Sequence, residues 1–314
     1  MIKLERIIRQ SAPIVFIREK SKKLIVPGFE GLPLYDVLKF FFEQISKRGL
    51  NERAAAISFN FIMAIPAGCI FIFTLVPYLP IAKQFNVELL KLTKELTPNQ
   101  STYFFIKEFL DDFFDTQRGG LLSFVFILVL FYSSNAMMGI IRAFDKSIAD
   151  KTGWLFHKRW RAIKLTFILF VLLIGAILIL IGQEQLAMLL KKLFHMKKKA
   201  SLWGWNYFRW LVIVVLIFYG IALIYKFAPS VKKRWKLQSP GAILATVLLI
   251  ATTLIFGYWV NHFANFNKLY GSVGTVLIIM NLIFSNSMVL LIGFELNVSI
   301  AYLQNEVEKR RLDI

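Results

Sequence analysis

Apolar positions along this chain fall in long unbroken runs, not in the short alternations of strands or the narrow stripes of surface helices. Six runs stand out, at 54–77, 121–141, 163–182, 207–227, 241–260 and 273–300. Each is about 20 residues or longer, the length a helix needs to cross the hydrocarbon core of a bilayer. None shows the period-two alternation of a membrane strand, which argues against a β-barrel. The pattern predicts an all-α integral membrane protein, a six-transmembrane-helix bundle.

Two weaker patterns lie outside the runs and predict additional interfacial amphipathic helices. Residues 34–48 place Leu34, Leu38, Phe41, Phe42 and Ile45 at helical spacing, with Asp36, Lys39, Glu43 and Lys47 opposite. Such a helix can lie in the plane of the interface before the first span turns inward. Residues 81–115 carry a similar but more acidic pattern and predict one or two short helices in an extracytoplasmic loop, broken at Pro98. The chain thus reads as an N-terminal extension (1–33), a membrane domain (34–305) and a short tail (306–314). No internal repeat is evident.

Composition agrees with the pattern. Hydrophobic residues make up 57% of the 314 positions, with a mean hydropathy of +0.60, against roughly 45–50% in soluble domains. The first 23 residues are strongly basic and hold no uninterrupted apolar region, so no cleaved signal peptide is expected. Cys69, the sole cysteine, falls in the first run. It is expected to be a small buried side chain, with no intrachain disulfide and no CxxC motif.

Charge adds orientation. If the six runs alternate across the membrane, roughly two thirds of the 38 basic residues fall on the side that carries both termini. Lys and Arg in excess mark the cytoplasmic face, so both ends are expected in the cytoplasm of a cell whose inner membrane holds the protein. The basic segment 191–199 would then lie outside, against the rule; it is expected to rest on anionic headgroups, the alternative being a different span count near it. The tryptophans fall near predicted span ends, as interfacial anchors do. A net charge of +19 is explained by this topology without a nucleic-acid partner.

Polar residues inside spans are costly and are functional candidates by default. The last run is richest. Asn281, Ser285, Glu295 and Ser299 fall near one line on a helix, and Asn286, Gly293 and Asn297 form a second stripe. A helix polar on two faces is expected at the centre of the bundle, with Glu295 near the cytoplasmic boundary and within reach of water. In the second run Asn135, Gly139 and Arg142 share a face. In the first, Ser58 and Asn60 are polar, and Pro66 is expected to kink the helix. Two readings of Glu295 stand side by side: a pair with Arg142, Arg53 or another cation that locks helices, or a gate in a polar path. For Asn135, Asn281 and Asn286 the plainer reading is interhelical hydrogen bonding.

No catalytic constellation is visible. His157, His195 and His262 are isolated, and HxH, HExxH, GxSxG, GxxxxGK[ST] and GxGxxG patterns are missing. No catalytic residue, metal ligand set or cofactor is therefore assigned, and the chain is not read as an enzyme.

Three motifs resemble the YihY/virulence factor BrkB family. They are Arg53-Ala54-Ala55-Ala56-Ile57-Ser58-Phe59, then Lys226-Phe227-Ala228-Pro229 with Ser239-Pro240-Gly241-Ala242, and Tyr270-Gly271-Ser272-Val273-Gly274-Thr275 running to Gly293-Phe294-Glu295-Leu296-Asn297. The last is similar to the family pattern YGSLG…LLGAELN. The resemblance spans about 35–305 and implies a six-span bacterial inner-membrane protein, once mislabelled ribonuclease BN, of unestablished activity. Envelope integrity, serum resistance and lipid export have been suggested for such proteins. It marks Tyr270, Gly271, Gly274, Gly293, Glu295 and Asn297 as motif positions. This chain departs from the family in the middle of the last run, where Asn281, Ser285 and Asn286 replace a tryptophan-rich stretch. Two functions follow as expectations: movement of a lipid or other anionic amphiphile, or a non-transporting envelope scaffold or regulator. The expected partners are membrane lipids with anionic headgroups; a homo-oligomer is left open.

Overall fold

The computed structural model describes residues 19–22, 24, 26–47, 49–78, 86–87, 89–90, 104, 107–108, 110–111, 119–148, 155–181, 202–231, 235–263 and 272–312. Seven long helices carry them: α1 (Leu34–Lys47), α2 (Leu50–Leu75), α3 (Gly119–Asp145), α4 (Leu155–Ile181), α5 (Leu202–Phe227), α6 (Pro240–Phe263) and α7 (Ser272–Leu312). No strand occurs among the described residues. The chain divides into two compact units, Met1–Ser58 with Met138–Ile314, and Phe59–Met137.

Helix bounds follow local chemistry more than apolar run length. Ser239 caps α6 by accepting from the Ala242 amide at 3.3 Å, and Pro240 fills the first helical position, where no amide bond is needed. Pro229 lies two residues past the end of α5, whose last turn closes through Ala228 N to Ile224 O at 2.9 Å. Between α1 and α2 the chain turns at Gly49 with φ of 54°, a left-handed conformation that favours glycine. Pro66 lies inside α2, which is assigned as one helix through it. The tail expected after 305 is a direct continuation of α7 to Leu312.

Five segments are long and apolar enough to cross a membrane: Leu50–Leu75, Gly119–Asp145, Trp210–Phe227, Pro240–Val260 and Val276–Arg311. The helix α4 is as long as α3, but its first turns carry Lys158, Arg159, Arg161 and Lys164. The helix α4 is not among these five segments.

In the larger unit α7 packs against α6 and α1, and α5 packs against α4 and α6. The α1 contact is apolar: Phe29, Leu32, Val37 and Phe41 bury against Leu296 and Ile300 of α7. Phe40 also stacks on Tyr302, with ring centroids 4.9 Å apart. This corrects the expected stripe. Val37 and Phe41 lead the buried face, whereas Leu38 and Phe42 point outward, Phe42 with 64% exposure. The apolar arc of α1 is wider than one helix contact can cover, so part of it is left for another apolar medium.

Burial along α7 is uneven. Ser287, residues 289–291 and every residue from 293 to 300 are buried, whereas Val276, Leu277, Ile279, Met280 and Asn281 are exposed. The expectation of a central last span holds for one half of the helix and fails for the other.

The smaller unit joins the remainder of α2 to the first part of α3. Phe71 and Phe126 lie 5.8 Å apart, and Thr74 returns its hydroxyl to Ile70 O and Phe71 O of its own helix. Cys69 is exposed, not buried as expected. Of 81–115, Asn86, Val87, Leu89, Leu90, Phe104, Lys107, Glu108, Leu110 and Asp111 are described and helical, and Asn86 Nδ2 donates to Asp111 Oδ1 at 3.0 Å. Pro98 and the basic segment 191–199 lie outside the described residues.

The α1 contact makes a paired prediction. Phe41→Ala removes a ring buried against α7 and is expected to cost about 3–5 kcal/mol, read as a lower melting temperature in detergent. Phe42→Ala, on the outward face, is expected to leave that temperature unchanged.

Candidate functional site

The site is a polar layer on the buried half of α7. Glu295 is fully buried and Arg53, near the start of α2, is 2% exposed. Arg53 Nη1 donates to Glu295 Oε1 at 2.7 Å, and Arg53 Nη2 donates to Ser147 Oγ at 2.7 Å. The Ser147 hydroxyl in turn donates to Glu295 Oε1. Guanidinium, hydroxyl and carboxylate thus close a ring of three hydrogen bonds. Each ion alone would suffer a desolvation cost of several kcal/mol, and the ring is what offsets it. Ser147 is held by the turn that ends α3, through Ser147 N to Phe144 O at 2.9 Å. One carboxylate therefore ties together α2, α3 and α7.

A second polar group sits beside the first, two residues back along the same turn. Buried Asp145 accepts from the Ser230 amide at 3.2 Å through Oδ1, and its Oδ2 lies 2.5 Å from Lys158 Nζ. Arg161 Nη2 donates to Ser230 Oγ at 2.7 Å. This group ties the end of α3 to the start of α4 and to the link between α5 and α6. The expected exposure of Glu295 to water is corrected, because the start of α2 and the turn that ends α3 meet its side chain, which is fully buried.

A third group fixes α6 on α7. Asn297 Oδ1 accepts from the Gly241 amide at 2.8 Å, and Asn297 Nδ2 donates to Ser239 Oγ at 2.9 Å. The side chain of α7 thereby satisfies an amide that the first turn of α6 leaves without a helical partner. Close approach makes this possible. A Cβ on Gly241 would collide with the Gly293 carbonyl oxygen. One on Gly293 would lie 2.6 Å from Ala245 Cβ, Gly241 O and Tyr225 Oη. Tyr225 Oη donates to Leu290 O at 2.6 Å. Phe294 stacks on Phe144 at 3.7 Å, with Tyr225 and Trp235 against it edge-on. About two turns before Phe294 on α7, Ser58 Oγ lies 3.2 Å from Ser287 Oγ.

With this geometry in hand, the comparisons with known proteins are specific. The family model described as Virulence factor BrkB matches residues 41–313. The chain belongs to that family. Among curated relatives, the ribonuclease-like protein YfkH of Bacillus subtilis is 26% identical over 264 residues, covering 83% of this chain and 94% of its own length. UPF0761 membrane proteins of Tolumonas auensis and Pseudoalteromonas translucida are 34% and 30% identical over 76 and 82 residues, about a quarter of each chain. No solved structure matches.

The BrkB resemblance rested on three separated motifs, and they meet here. Arg53 from the first motif pairs with Glu295 of the third, and Ser239 and Gly241 from the second contact Asn297 and Gly293 of the third. Of the other positions singled out in the sequence, Ser58 joins this half of α7. Gly274 is buried in the first turn of the same helix. Asn135, Ser285 and Asn286 are half-buried, as is Asn60, while Asn281, Arg142 and Pro66 are exposed. Arg142 is therefore not the partner of Glu295; it lies on the outward side of the last turn of α3. Tyr270 and Gly271 lie outside the described residues. Sequence reasoning did not assign Ser147, Ser230, Lys158, Arg161 or Tyr225 to the site. The Ser147 turn carries no motif, Ser230 directly follows the Lys226–Pro229 motif without being part of it, and Tyr225 reads as one more apolar position in a span.

The ring also predicts an energetic coupling. Arg53→Ala and Glu295→Ala are each expected to cost about 3–5 kcal/mol by stranding a buried charge. Thermal unfolding in detergent should show the double variant losing clearly less than the sum; strictly additive losses would mean that the two side chains do not act as a pair.

Proposed function

We propose that the protein moves a lipid or another anionic amphiphile across the bacterial cytoplasmic membrane, with Arg53, Glu295 and Ser147 forming a closed gate at the cytoplasmic end. The observation that carries this reading is the contrast along α7. One half is buried all round and held by an ion pair, whereas the other is unpacked and bears Asn281. A buried ion pair is a poor device for stability alone, since well-packed apolar residues often do as well. It suits a contact that must form in one state and open in another. Three further points support the reading: family membership, the basic flanks on the termini side, and polar Ser285 and Asn286 between gate and unpacked half.

A second reading, a non-transporting scaffold or regulator of envelope integrity, has its own support in the Gly241 to Gly293 approach and the Asn297 cap. These hold α6 and α7 rigidly together. An enzymatic reading has less behind it. The ribonuclease-like label belongs to YfkH, and among the described residues no group of three His, Cys, Asp or Glu side chains is placed to hold a metal.

Two measurements test the transport reading. In vesicles, the purified protein is expected to accelerate transbilayer movement of a labelled anionic lipid over empty vesicles. In a Cys69→Ala background, oxidising the pair Ser58→Cys and Ser287→Cys should arrest that movement, and reduction should restore it. No acceleration with any of several lipids, with and without a proton gradient, would favour the scaffold. Topology has a separate check: a cysteine placed at Lys198 is expected to be labelled only from outside the cell.

A further inference from the structure

The first turns of α4 carry four basic residues, and the structure uses them differently. Lys158 and Arg161 are turned inward, to Asp145 and Ser230. Lys164, one turn further on, is exposed and has no acidic partner among the described residues. Its ammonium bends back toward the start of α4 and lies 5.4 Å from the centre of the Trp160 ring. Trp160 is itself 55% exposed.

These two side chains sit within an apolar surface. Phe156, Trp160, Ile163, Phe167, Val171 and Ile174 are all exposed, and Phe156 reaches 71%. At 100° per residue they share an arc of about 80°, and Lys164 lies at its edge beside Trp160 and Val171. Hydrocarbon is the natural cover for such a stripe, but a bare ammonium inside it is costly. The lysine stem can lie along the apolar surface while its head reaches toward the interface. Trp160 holds the head there, one turn nearer the helix start. A cation at the edge of an exposed apolar stripe is matched by a phosphate carrying two acyl chains.

We propose that Lys164 and Trp160 hold the phosphate headgroup of an anionic phospholipid whose acyl chains run along Phe167, Val171 and Ile174. The ammonium supplies the charge, and the indole supplies both an N–H donor and the ring that positions the cation. A zwitterionic choline lipid brings its own cation to the same place and gains less. The site requires α4 to lie in the bilayer, as the six-span reading has it, but it does not require transport. Failure of the vesicle flux assay leaves it standing.

The test uses the full chain in nanodiscs of equimolar phosphatidylglycerol and phosphatidylcholine, each spin-labelled in turn, to measure preference in the protein-bound lipid shell. The unsubstituted protein should prefer phosphatidylglycerol. Lys164→Gln should lower the preference at this site about fivefold, the effect of one basic side chain beside an anionic surface. Lys164→Arg should retain it, as should Lys39→Gln on exposed α1. Because Lys164 is exposed, the Gln variant is expected to fold, checked by an unchanged melting temperature. No preference in the unsubstituted protein, an unchanged preference in Lys164→Gln, or an equal loss in Lys39→Gln would overturn the proposal. Displacement of the lipid by inorganic phosphate at matching concentration would indicate a free-anion site and would overturn it as well.

Discussion

The interaction on which the larger unit depends is the neutralisation of one carboxylate. Glu295 lies on a stretch of α7 with no exposed face, so neither water nor lipid headgroups can solvate it. Its charge must be met by protein, and Arg53 with Ser147 is how that is done. This requirement fixes more than one contact. It sets where α2 begins relative to α7, and it holds the turn that ends α3 against the same level. Through Asp145, on that turn, it extends to α4 and to the link before α6.

Helices in lipid gain little by hiding apolar side chains from one another, because the tails are as apolar as leucine. Association then depends on close packing and polar contacts. Both are concentrated at residues 287–300 of α7, where Gly293 lets the backbone of α6 approach and Asn297 bonds its first turn. At 276–281 the helix has large aliphatic side chains and no such devices, and it is unpacked. The difference in burial along one continuous helix therefore follows the glycine contact and the polar cap, which are confined to one stretch.

The spans were legible because run length and hydropathy are properties of consecutive residues. The partner of Glu295 was only narrowed to a few cations, because a helical wheel shows which face a residue occupies but not which neighbour faces it. Arg142 and Arg53 both sit at the termini side of spans; orientation about the helix axis decided between them, and it turned Arg142 outward. The α1 face was misjudged at Phe42 for a related reason. Periodicity identifies an apolar arc, but only the packed partner determines which part of it is covered. Ser147 and Ser230 were invisible because serine in a turn carries no pattern, and their roles come from contacts between residues 69 to 148 positions apart.

The separation of the two halves of α7 also limits what kind of motion the bundle can support. A helix fixed by Gly–Gly contact, an amide cap and an ion pair at one end cannot slide along its axis without breaking all three. The Gly241 approach is the least forgiving, since a register shift would bring a larger α7 side chain, Ile292 or Phe294, against the α6 backbone. Rotation of neighbouring elements about that contact is a lesser change. It would separate Arg53 and Ser147 from Glu295 while leaving Asn297 on Gly241. Such a motion requires the exposed carboxylate to gain water as it loses its cation, which the end of the bundle nearest the helix starts can provide. Under the proposed transport reading, a rigid α6–α7 pair with α2 and the α3 turn moving against it would give the Gly contact and the ion pair separate roles, the one as pivot and the other as latch.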